Sequence, residues 1–522
     1  MNRRDFLHFT AAASALTGLA ATGCGASDPA ETIVTTRAGR VRGAVADGIH
    51  VFKGVPYAAP PQGARRYLPP QPAEAWSGVR DALDFGPTSP QPPTPPPLEA
   101  FAPPIPGADY LNLNIWTPEP GSTRLPVLVW IFGGGFDTGA TPFYDGSAFA
   151  RDGVLLVSIN YRLGAEGFLF LDDGVANVAL LDQIMTLEWV RDNIAAFGGD
   201  PANVTIFGQS AGAMAVGTLL TMPRANGLFR RAILESGAGN LCYSTDTARE
   251  LGRRLIAKLD VAPTREAVAA AGVDRVLAAQ AAVMGDLARQ PNPQQWGGEP
   301  GCRINMWRPT LDGETLPSKP IDAALVGASA DIDLLIGHNS EEGRLSIVPF
   351  RSLDSVTEAE LGTAMRLYRL PAEQALPAYR AAYPGANPGA LLSILQADWF
   401  YTIPGIRLAE ARATAPAATY MYEFAWRSPQ FDGELGACHF LEVPFVFDQL
   451  HDEQMRWITG PNPPQQLADS VHGAWVRFAE SGRLDWLQYE STHRSSMRFD
   501  LEPTVVDDSC RVRELWEGVD LY

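Results

Sequence analysis

The pentapeptide Gly-Gln-Ser-Ala-Gly at 208–212 constrains this chain more than any other feature. It follows a short apolar run at 204–207 and surrounds one serine, Ser210, with small residues. A sharp turn from a strand into a helix needs this pattern, because side chains at Gly208 and Gly212 would collide with the neighbouring backbone. Such a turn places the serine hydroxyl beside the positive N-terminal end of the next helix. The pattern therefore predicts a nucleophile elbow and, with it, a serine hydrolase.

The composition excludes some classes of partner. Of the 522 residues, 46% are apolar and 19% are charged, which suits a large buried core rather than a disordered chain. The formal net charge of -18 disfavours a nucleic-acid partner, because phosphate binding needs a basic face. No Cys-x-x-Cys or paired-histidine spacing indicates a metal site. We therefore expect no bound metal.

Residues 1–23 are predicted to form an export signal. Paired arginines and a Phe-Leu step lie within residues 3–7, and the weakly apolar run that follows makes the segment resemble a twin-arginine signal. Small residues then precede Cys24, as at a lipoprotein cleavage site, although Ala21 stands where such sites usually prefer leucine. We expect a periplasmic protein or a lipoprotein anchored to the membrane through an acylated Cys24. The alternative is plain cleavage that leaves this cysteine unmodified.

Export would permit disulfide bonds. Four cysteines follow Cys24, namely Cys242, Cys302, Cys438 and Cys510. Four cysteines allow three pairings, and the sequence does not choose among them. A bridge between Cys242 and Cys302 is one candidate.

Residues 24–522 have the pattern of a single α/β domain. Short apolar runs rich in branched residues predict strands at 127–132, 154–161, 204–207, 231–235 and 332–336. Apolar residues at helical spacing predict a helix over 181–197, and Ala/Leu-rich stretches at 247–287 and 357–395 predict helical insertions. Strands that alternate with helices imply a largely parallel sheet with helices on both faces. The proline-rich stretch 87–106 is predicted to form an exposed, stiff loop.

A nucleophilic serine needs donors for the oxyanion, a general base and an acid that orients the base. Three glycines at 133–135 directly follow a predicted strand, where backbone N–H groups can approach a ligand closely. In this architecture the chain order is serine, acid, histidine, so the acid is expected after Ser210. Glu341 and Glu342 follow the strand at 332–336, and the residues alone leave both as candidates.

Four histidines lie beyond these carboxylates: His439, His451, His472 and His493. His472 lies in an amphipathic segment and is predicted to be a surface or packing residue, whereas His451 and His493 lie among charged residues. His439 lies in a loop before an apolar stretch, as expected of a mobile catalytic imidazole. It is the leading candidate for the base.

Several further motifs make the chain similar to a known family. They are Gly-Val-Pro-Tyr-Ala at 54–58, Leu-Asn-Leu-Asn-Ile-Trp at 111–116, Asn-Tyr-Arg-Leu-Gly at 160–164 and Phe-Gly-Gly-Asp-Pro at 197–201. With the pentapeptide, they make the chain resemble the type B carboxylesterases, in the cholinesterase-like branch of the α/β-hydrolases, over most of residues 32–510. The resemblance implies the α/β-hydrolase fold, with helical insertions around an active-site gorge. It also implies hydrolysis of small-molecule carboxylic esters through an acyl-serine intermediate, without a cofactor, and leaves the oligomeric state open.

The resemblance also assigns roles to residues of this chain. It implies Ser210 as the nucleophile, Glu342 as the acid and His439 as the base. Ser236 corresponds to a serine near the histidine. The N–H groups of the implied oxyanion hole belong to Gly134, Gly135 and Ala211.

Departures from the family pattern bear on the site. Gln209 replaces the glutamate that usually precedes the nucleophile, which removes a negative charge. Phe132 stands where many members carry histidine or tyrosine. Ser89 and Tyr110 occupy positions where the family often has a disulfide that closes a loop at the gorge rim. The proline-rich stretch would stiffen this loop instead.

Other activities remain open for the same residues. An amidase, a thioesterase or a carbamate hydrolase would use the same Ser-His-Glu triad. A non-catalytic adhesion module of the cholinesterase-like kind would lack triad residues, whereas all three candidates are present here. A true cholinesterase is disfavoured, because Gln209 weakens the anionic field that a quaternary ammonium would use.

Overall fold

The computed structural model describes residues 31–93, 104–121, 123–290, 292–299 and 306–521. The predicted export signal and Cys24 lie outside these ranges. Cys302 also lies outside them, and so does its candidate bridge to Cys242. Cys438 and Cys510 are buried free thiols.

One large mixed sheet organises the fold. The described strands are β1 (Glu31–Thr35), β2 (Arg40–Ala46), β3 (Ile49–Pro56), β4 (Val79–Asp81), β5 (Asn112–Thr117), β6 (Leu125–Ile131), β7 (Leu155–Ile159), β8 (Gly199–Gln209), β9 (Arg231–Glu235), β10 (Tyr243–Ser244), β11 (Thr310–Leu311), β12 (Asp333–Asn339), β13 (Thr419–Phe424), β14 (Ser495–Phe499) and β15 (Thr504–Asp507). The middle of the sheet is parallel, in the order β7-β6-β8-β9-β12-β13-β14. Antiparallel strands extend it at both edges. The predicted α/β class with a largely parallel centre is confirmed.

Helices connect the strands and form the insertions. The described α-helices are α1 (Ser147–Arg151), α2 (Gly164–Phe168), α3 (Val178–Asn193), α4 (Ala211–Leu219), α5 (Thr245–Leu259), α6 (Arg265–Ala270), α7 (Val273–Arg289), α8 (Pro320–Leu325), α9 (Glu358–Leu367), α10 (Ala372–Ala382), α11 (Pro388–Ala397), α12 (Ile403–Ala411), α13 (Val443–Val446), α14 (Arg456–Thr459) and α15 (Gln465–Ser481). The predicted insertions correspond to α5–α7 and α9–α11. The helix predicted over 181–197 is α3, whose continuation at Ile194–Phe197 tightens into a 3₁₀ turn.

The central strands are buried on both faces. β7 is buried at every position, and β6 is buried from Val127 to Ile131. Successive side chains of a strand point to opposite faces, so unbroken burial requires a covering layer on each face. The helices α3, α4 and α15 pack against β8. Burying each branched or leucine side chain stabilises the fold by about 1.5–3 kcal/mol. Strands at the centre of the sheet are therefore rich in such residues, and continuous apolar runs in the sequence predicted them well.

The strand β8 differs most from its predicted bounds. It begins at Gly199, whereas the apolar run begins at Val204. Gly199 pairs with Leu125, the register shifts between Leu125 and Val127, and residues 200–203 are exposed or only half-buried. A pattern of buried apolar residues cannot reveal a strand that starts with residues near the surface.

The proline-rich stretch is less exposed than predicted. Thr88 and Ser89 are buried. The Ser89 hydroxyl donates a hydrogen bond to the Tyr161 carbonyl at 2.5 Å, and the Thr88 N–H donates to the Ile105 carbonyl at 2.9 Å. The prediction of an exposed loop was wrong at these residues, because proline content does not report hydrogen bonds to distant backbone.

Four neighbouring parallel strands end at the same edge of the sheet, and a predicted site residue follows each of them. The glycines at 133–135 follow β6, Ser210 follows β8, Ser236 follows β9, and Glu342 comes after β12. The carboxyl ends of adjacent parallel strands form the usual crevice for ligands in such sheets. The topology therefore brings together groups that are far apart in sequence.

We predict that Gly212→Ala destabilises the fold and removes activity. A Cβ at Gly212 would overlap the carbonyl oxygen of Ile131, a backbone atom that cannot move without shifting β6. Overpacking of this kind costs about 1–3 kcal/mol. The midpoint of urea unfolding should therefore fall clearly below that of the wild type.

The matched control is Gly285→Ala, inside α7. A Cβ at Gly285 would approach the flexible Arg289 guanidinium, at 3.4 Å. Alanine favours a helix over glycine by about 1 kcal/mol, so this variant should be at least as stable as the wild type. An unchanged unfolding midpoint in Gly212→Ala would contradict the close approach of β6 to the turn.

Candidate active site

Ser210 occupies a strained turn between β8 and α4. Its backbone angles are φ 57° and ψ -124°, which residues other than glycine rarely adopt. The Ser210 N–H donates to the Glu235 carbonyl at 2.8 Å, and the Ser210 carbonyl accepts from the Met214 N–H at 2.9 Å. These bonds fix the serine at the carboxyl end of β8, in the sharp turn that the pentapeptide predicts.

Glu342 and His439 form a close pair. Glu342 begins a 3₁₀ turn, Glu342–Ser346, and its Oε2 lies 2.5 Å from His439 Nδ1. Its other oxygen, Oε1, accepts hydrogen bonds from the Ser236 hydroxyl at 2.5 Å and from the Asn339 N–H at 2.7 Å. The carboxylate is buried and bonded at both oxygens, so it holds the imidazole ring in one orientation.

The neighbouring carboxylate, Glu341, turns away from the histidine. It forms ion pairs with Arg344 at 2.7 Å and Arg427 at 2.5 Å. It also accepts a hydrogen bond from the Ala437 N–H at 2.9 Å, which ties down the loop that leads to His439. Of the two carboxylates that the sequence left open, Glu342 is therefore the one that contacts the imidazole.

His439 lies in a half-buried position beneath an aromatic ring. The ring of Tyr401 stacks on the imidazole, with 4.7 Å between ring centroids and 20° between planes. Burial lowers the pKa of His439, but the charge and hydrogen bond of Glu342 raise it, and the charge of Glu442 adds to this. The net effect raises the pKa of His439 above its ordinary value, so the imidazolium is stabilised relative to that of a free histidine.

Gln209 contacts the imidazole directly. Its Nε2 lies 3.2 Å from His439 Nε2, the nitrogen that faces away from Glu342. An amide nitrogen only donates hydrogen bonds, so in this arrangement it donates to the lone pair of a neutral ring. Within the described residues no hydrogen bond joins the Ser210 hydroxyl to His439. The sequence suggested only that Gln209 removes a charge, whereas the structure places it against the ring.

The glycine loop after β6 lies against the turn at Ser210. A Cβ at Gly133 would come within 2.9 Å of Ser210 Cβ. Gly134 and Gly135 have φ of 106° and 69°, and no acceptor for their N–H groups is found in the described chain. Ala211 is the first residue of α4, so its N–H has no partner within the helix. Three unpaired N–H groups therefore border the serine.

The remaining candidate histidines bond elsewhere. His472 is buried in α15, where Nδ1 donates to the Val446 carbonyl at 2.7 Å and Nε2 lies 3.1 Å from the Asp152 carboxylate. His493 is exposed and contacts Glu490. His451 is also exposed. His472 is thus a packing residue.

Glu442 is a buried carboxyl group that sequence reasoning missed. It accepts a hydrogen bond from the Asn339 side-chain amide. Burial raises the pKa of Glu442, and the charge of Glu342 raises it further, to about 7, although the imidazole of His439 opposes this. Its position three residues after His439 is the local signal that could have indicated it.

Glu235, the last residue of β9, is a second such group. Its Oε1 accepts a hydrogen bond from the Trp475 indole N–H at 2.7 Å. Burial raises the pKa of Glu235 well above its ordinary value, and the charge of Glu442 adds to this. Burial therefore favours the neutral form of this side chain. No local pattern distinguishes it from other strand residues.

Neither a metal cluster nor a membrane-spanning helix is found in the described part of the chain. No group of three or more His, Cys, Asp or Glu side chains there could hold a metal ion. No described helix is long and apolar enough to cross a membrane.

Comparison with known proteins identifies the family. The family model described as "Carboxylesterase family" matches residues 30–515. This chain belongs to the carboxylesterase family. The para-nitrobenzyl esterase of Bacillus subtilis is 36% identical over 493 residues, which cover 91% of this chain and 96% of that protein. The phenmedipham hydrolase of Pseudarthrobacter oxydans is 36% identical over 467 residues, covering 86% and 90%.

A solved structure supports the same assignment. A carboxylesterase of Geobacillus stearothermophilus, crystallised at pH 6.2, is 37% identical and superposes with a TM-score of 0.81. The match covers 93% of this chain and 100% of that one. The predicted α/β-hydrolase fold and type B carboxylesterase family are confirmed, and the protein is a carboxylic ester hydrolase.

We predict that Gln209→Glu raises the pKa of His439 further. The substitution places a carboxylate where an amide now lies 3.2 Å from Nε2, and a nearby negative charge favours the imidazolium. An NMR titration of the His439 ring should therefore have its midpoint at higher pH than in the wild type. The pKa of His439 rises, and does not fall, because the added negative charge stabilises the charged form of the imidazole.

Gln209→Met is the control for this titration. It keeps a side chain of similar length without charge or hydrogen-bond donor. Its midpoint should lie below that of Gln209→Glu. Coincident titrations of His439 in the two variants would show that residue 209 does not act on the imidazole through charge.

Proposed function

We propose that this carboxylesterase cleaves esters through a triad of Ser210, His439 and Glu342, with an acyl-serine intermediate. The observation that carries the proposal is the 2.5 Å contact between Glu342 and His439, at the strand edge where Ser210 occupies a strained turn. A hydrolase of this kind needs its catalytic serine, base and acid to lie together at one site. Among the described histidines, only His439 meets this requirement.

In acylation, neutral His439 accepts the Ser210 proton at Nε2 while Oγ attacks the ester carbonyl. Glu342 keeps the proton on Nδ1 and stabilises the imidazolium that forms. The fully bonded Glu342 carboxylate supports this role, because its orientation is already fixed. In the free enzyme Nε2 faces Gln209, and hydrogen bonds of this kind commonly tighten only with substrate in place.

The oxyanion would meet three backbone donors, which belong to Gly134, Gly135 and Ala211. In other enzymes, each preorganised donor of this kind raises kcat by a factor on the order of 10²–10³. Their support here is that the glycine loop abuts Ser210 and that no described acceptor occupies these N–H groups. Departure of the alcohol then leaves the acyl-enzyme, and His439 activates water to hydrolyse it.

The substrate is proposed to be a small-molecule carboxylic ester. A relative named for para-nitrobenzyl esters makes these compounds the first substrates to assay. Their aromatic alcohol would be released in acylation, and Ser210 would retain the acyl group until water removes it.

The experiment that tests the nucleophile uses a fluorophosphonate probe. We expect the probe to label Ser210 in the wild type, as read by peptide mass spectrometry. Ser210→Ala should abolish labelling and lower turnover by a factor on the order of 10⁶, as in other triad knockouts. Labelling that survives in Ser210→Ala would exclude this serine as the nucleophile.

A pair of variants tests the acid. Glu342→Gln should lower kcat by roughly 10³–10⁴-fold, because it removes the charge that orients the imidazole and stabilises the imidazolium. Glu341→Gln is the matched control. It disturbs the ion pairs with Arg344 and Arg427 but can still accept from the Ala437 N–H, so kcat should change little. Equal losses in both variants would contradict the assignment.

A further inference from the structure

The glycine loop after β6 continues to Gly139 and folds back on itself beside Ser210. A Cβ at Gly139 would lie 2.6 Å from the Gly133 carbonyl oxygen, and Gly133 itself abuts Ser210. At the far end of the loop, the Gly139 N–H and carbonyl both bond to the side chain of Gln91, at 2.8 and 3.1 Å. The loop therefore connects the proposed nucleophile to the proline-rich stretch 87–106.

The accessible side of this loop carries one charged side chain, Asp137. Its N–H donates to the Gly134 carbonyl at 3.1 Å, which places Asp137 in the same turn as the proposed oxyanion donors. Gly134 is exposed, and Gly135 and Asp137 are half-buried, whereas Gly133 and Phe136 are buried. The Asp137 carboxylate therefore borders the same accessible space as these donors.

This carboxylate makes no hydrogen bond and no ion pair with any other described residue. Burial raises the pKa of Asp137 to about 7, although the positive charge of Arg308 opposes this. Arg308 is buried just before β11, and its guanidinium lies over the Tyr243 ring, 4.7 Å from the centroid. A partly desolvated carboxylate without hydrogen bonds is costly, and a cationic group that pairs with it offsets this cost.

We propose that Asp137 is a specificity residue that binds the protonated amine of an ester substrate. This inference rests on the proposed function of Ser210, and it names a substrate class for the same site. The class is carboxylic esters that carry an ammonium group several bonds from the ester carbonyl. The carbonyl carbon would lie at Ser210, with its oxygen at the glycine N–H groups. The ammonium would extend to Asp137 and donate a charge-assisted hydrogen bond to its carboxylate.

The other carboxyl groups of the site are engaged or inaccessible. Glu342 is bonded at both oxygens, and Glu341 is paired with two arginines. Glu235 and Glu442 are fully buried. Asp137 is the carboxylate that keeps its lone pairs available at an accessible surface. The net charge of -18 also favours the approach of a cationic substrate over that of an anionic one.

Matched pairs of esters separate the effect of charge from that of shape. A dimethylaminoalkyl butyrate is protonated near pH 7, and in its hydrocarbon isostere a C–H replaces the N⁺–H. The spacer between amine and ester is lengthened one carbon at a time, and a second series carries the amine in the acyl chain. We expect the wild type to prefer the cationic member of at least one pair, as read by the ratio of the two kcat/KM values. Asp137→Asn should lower this ratio about 10–100-fold, mainly through KM, because a hydrogen bond between two charged groups is lost.

Asp145→Asn is the matched control. Asp145 is exposed, and its Oδ1 accepts from the Ser147 N–H at 3.0 Å and from the Ser147 hydroxyl at 2.6 Å. This variant removes the same formal charge from the chain, so its ratio should equal that of the wild type. A wild-type ratio in Asp137→Asn at every spacer length, or an equal fall in both variants, would overturn the proposal. Hydrolysis of the isostere that persists in Ser210→Ala would instead refute the proposed function of Ser210.

Discussion

The close approach of β6 to the turn at Ser210 is the constraint on which the site depends. The Ile131 carbonyl oxygen lies so near that neither Gly208 nor Gly212 has room for a Cβ. Ile131 is also paired with Gly208 in the parallel ladder between β6 and β8. Because the glycine loop continues directly from β6, backbone pairing sets its distance from the serine. The proposed oxyanion donors are therefore positioned by the sheet itself.

Backbone strain is part of the same arrangement. Ser210 and Ser236 both have φ of 57°, while Phe136 and Phe440 have φ of 64° and 75°. Such conformations cost of order 1–3 kcal/mol each, and they persist where the surroundings fix them from several sides. Ser236 illustrates this, since its N–H donates to the Gly337 carbonyl and its hydroxyl donates to Glu342. The buried parallel sheet supplies the stability that offsets these costs.

Local pattern predicted the parts of the site that follow strands. The elbow at Ser210 and the glycine loop each combine a short apolar run with residues that only a tight turn requires, so each could be identified from a few neighbouring residues. The choice between Glu341 and Glu342 could not be made in this way, because adjacent residues share one local environment. Family resemblance favoured Glu342, and the geometry of the ion pairs around Glu341 agrees with it. Tyr401 carried no local signal, since its stacking on His439 joins residues that are distant in sequence. Gln209 was visible in the sequence as a departure from the family pattern, but its contact with the imidazole appears only in the folded chain.

The buried carboxyl group of Glu442 and the imidazole of His439 influence each other's ionisation. Glu442 has a pKa of about 7, and the imidazolium of His439 lowers it, while the charge of Glu442 in turn raises the pKa of His439. Each group therefore ionises more readily when the other is charged. Two groups linked in this way titrate as one system, with midpoints that belong to the pair. Protonation of His439 thus promotes ionisation of Glu442, which supplies a negative charge near the ring. The negative charge around the imidazole therefore changes with its protonation and is not constant.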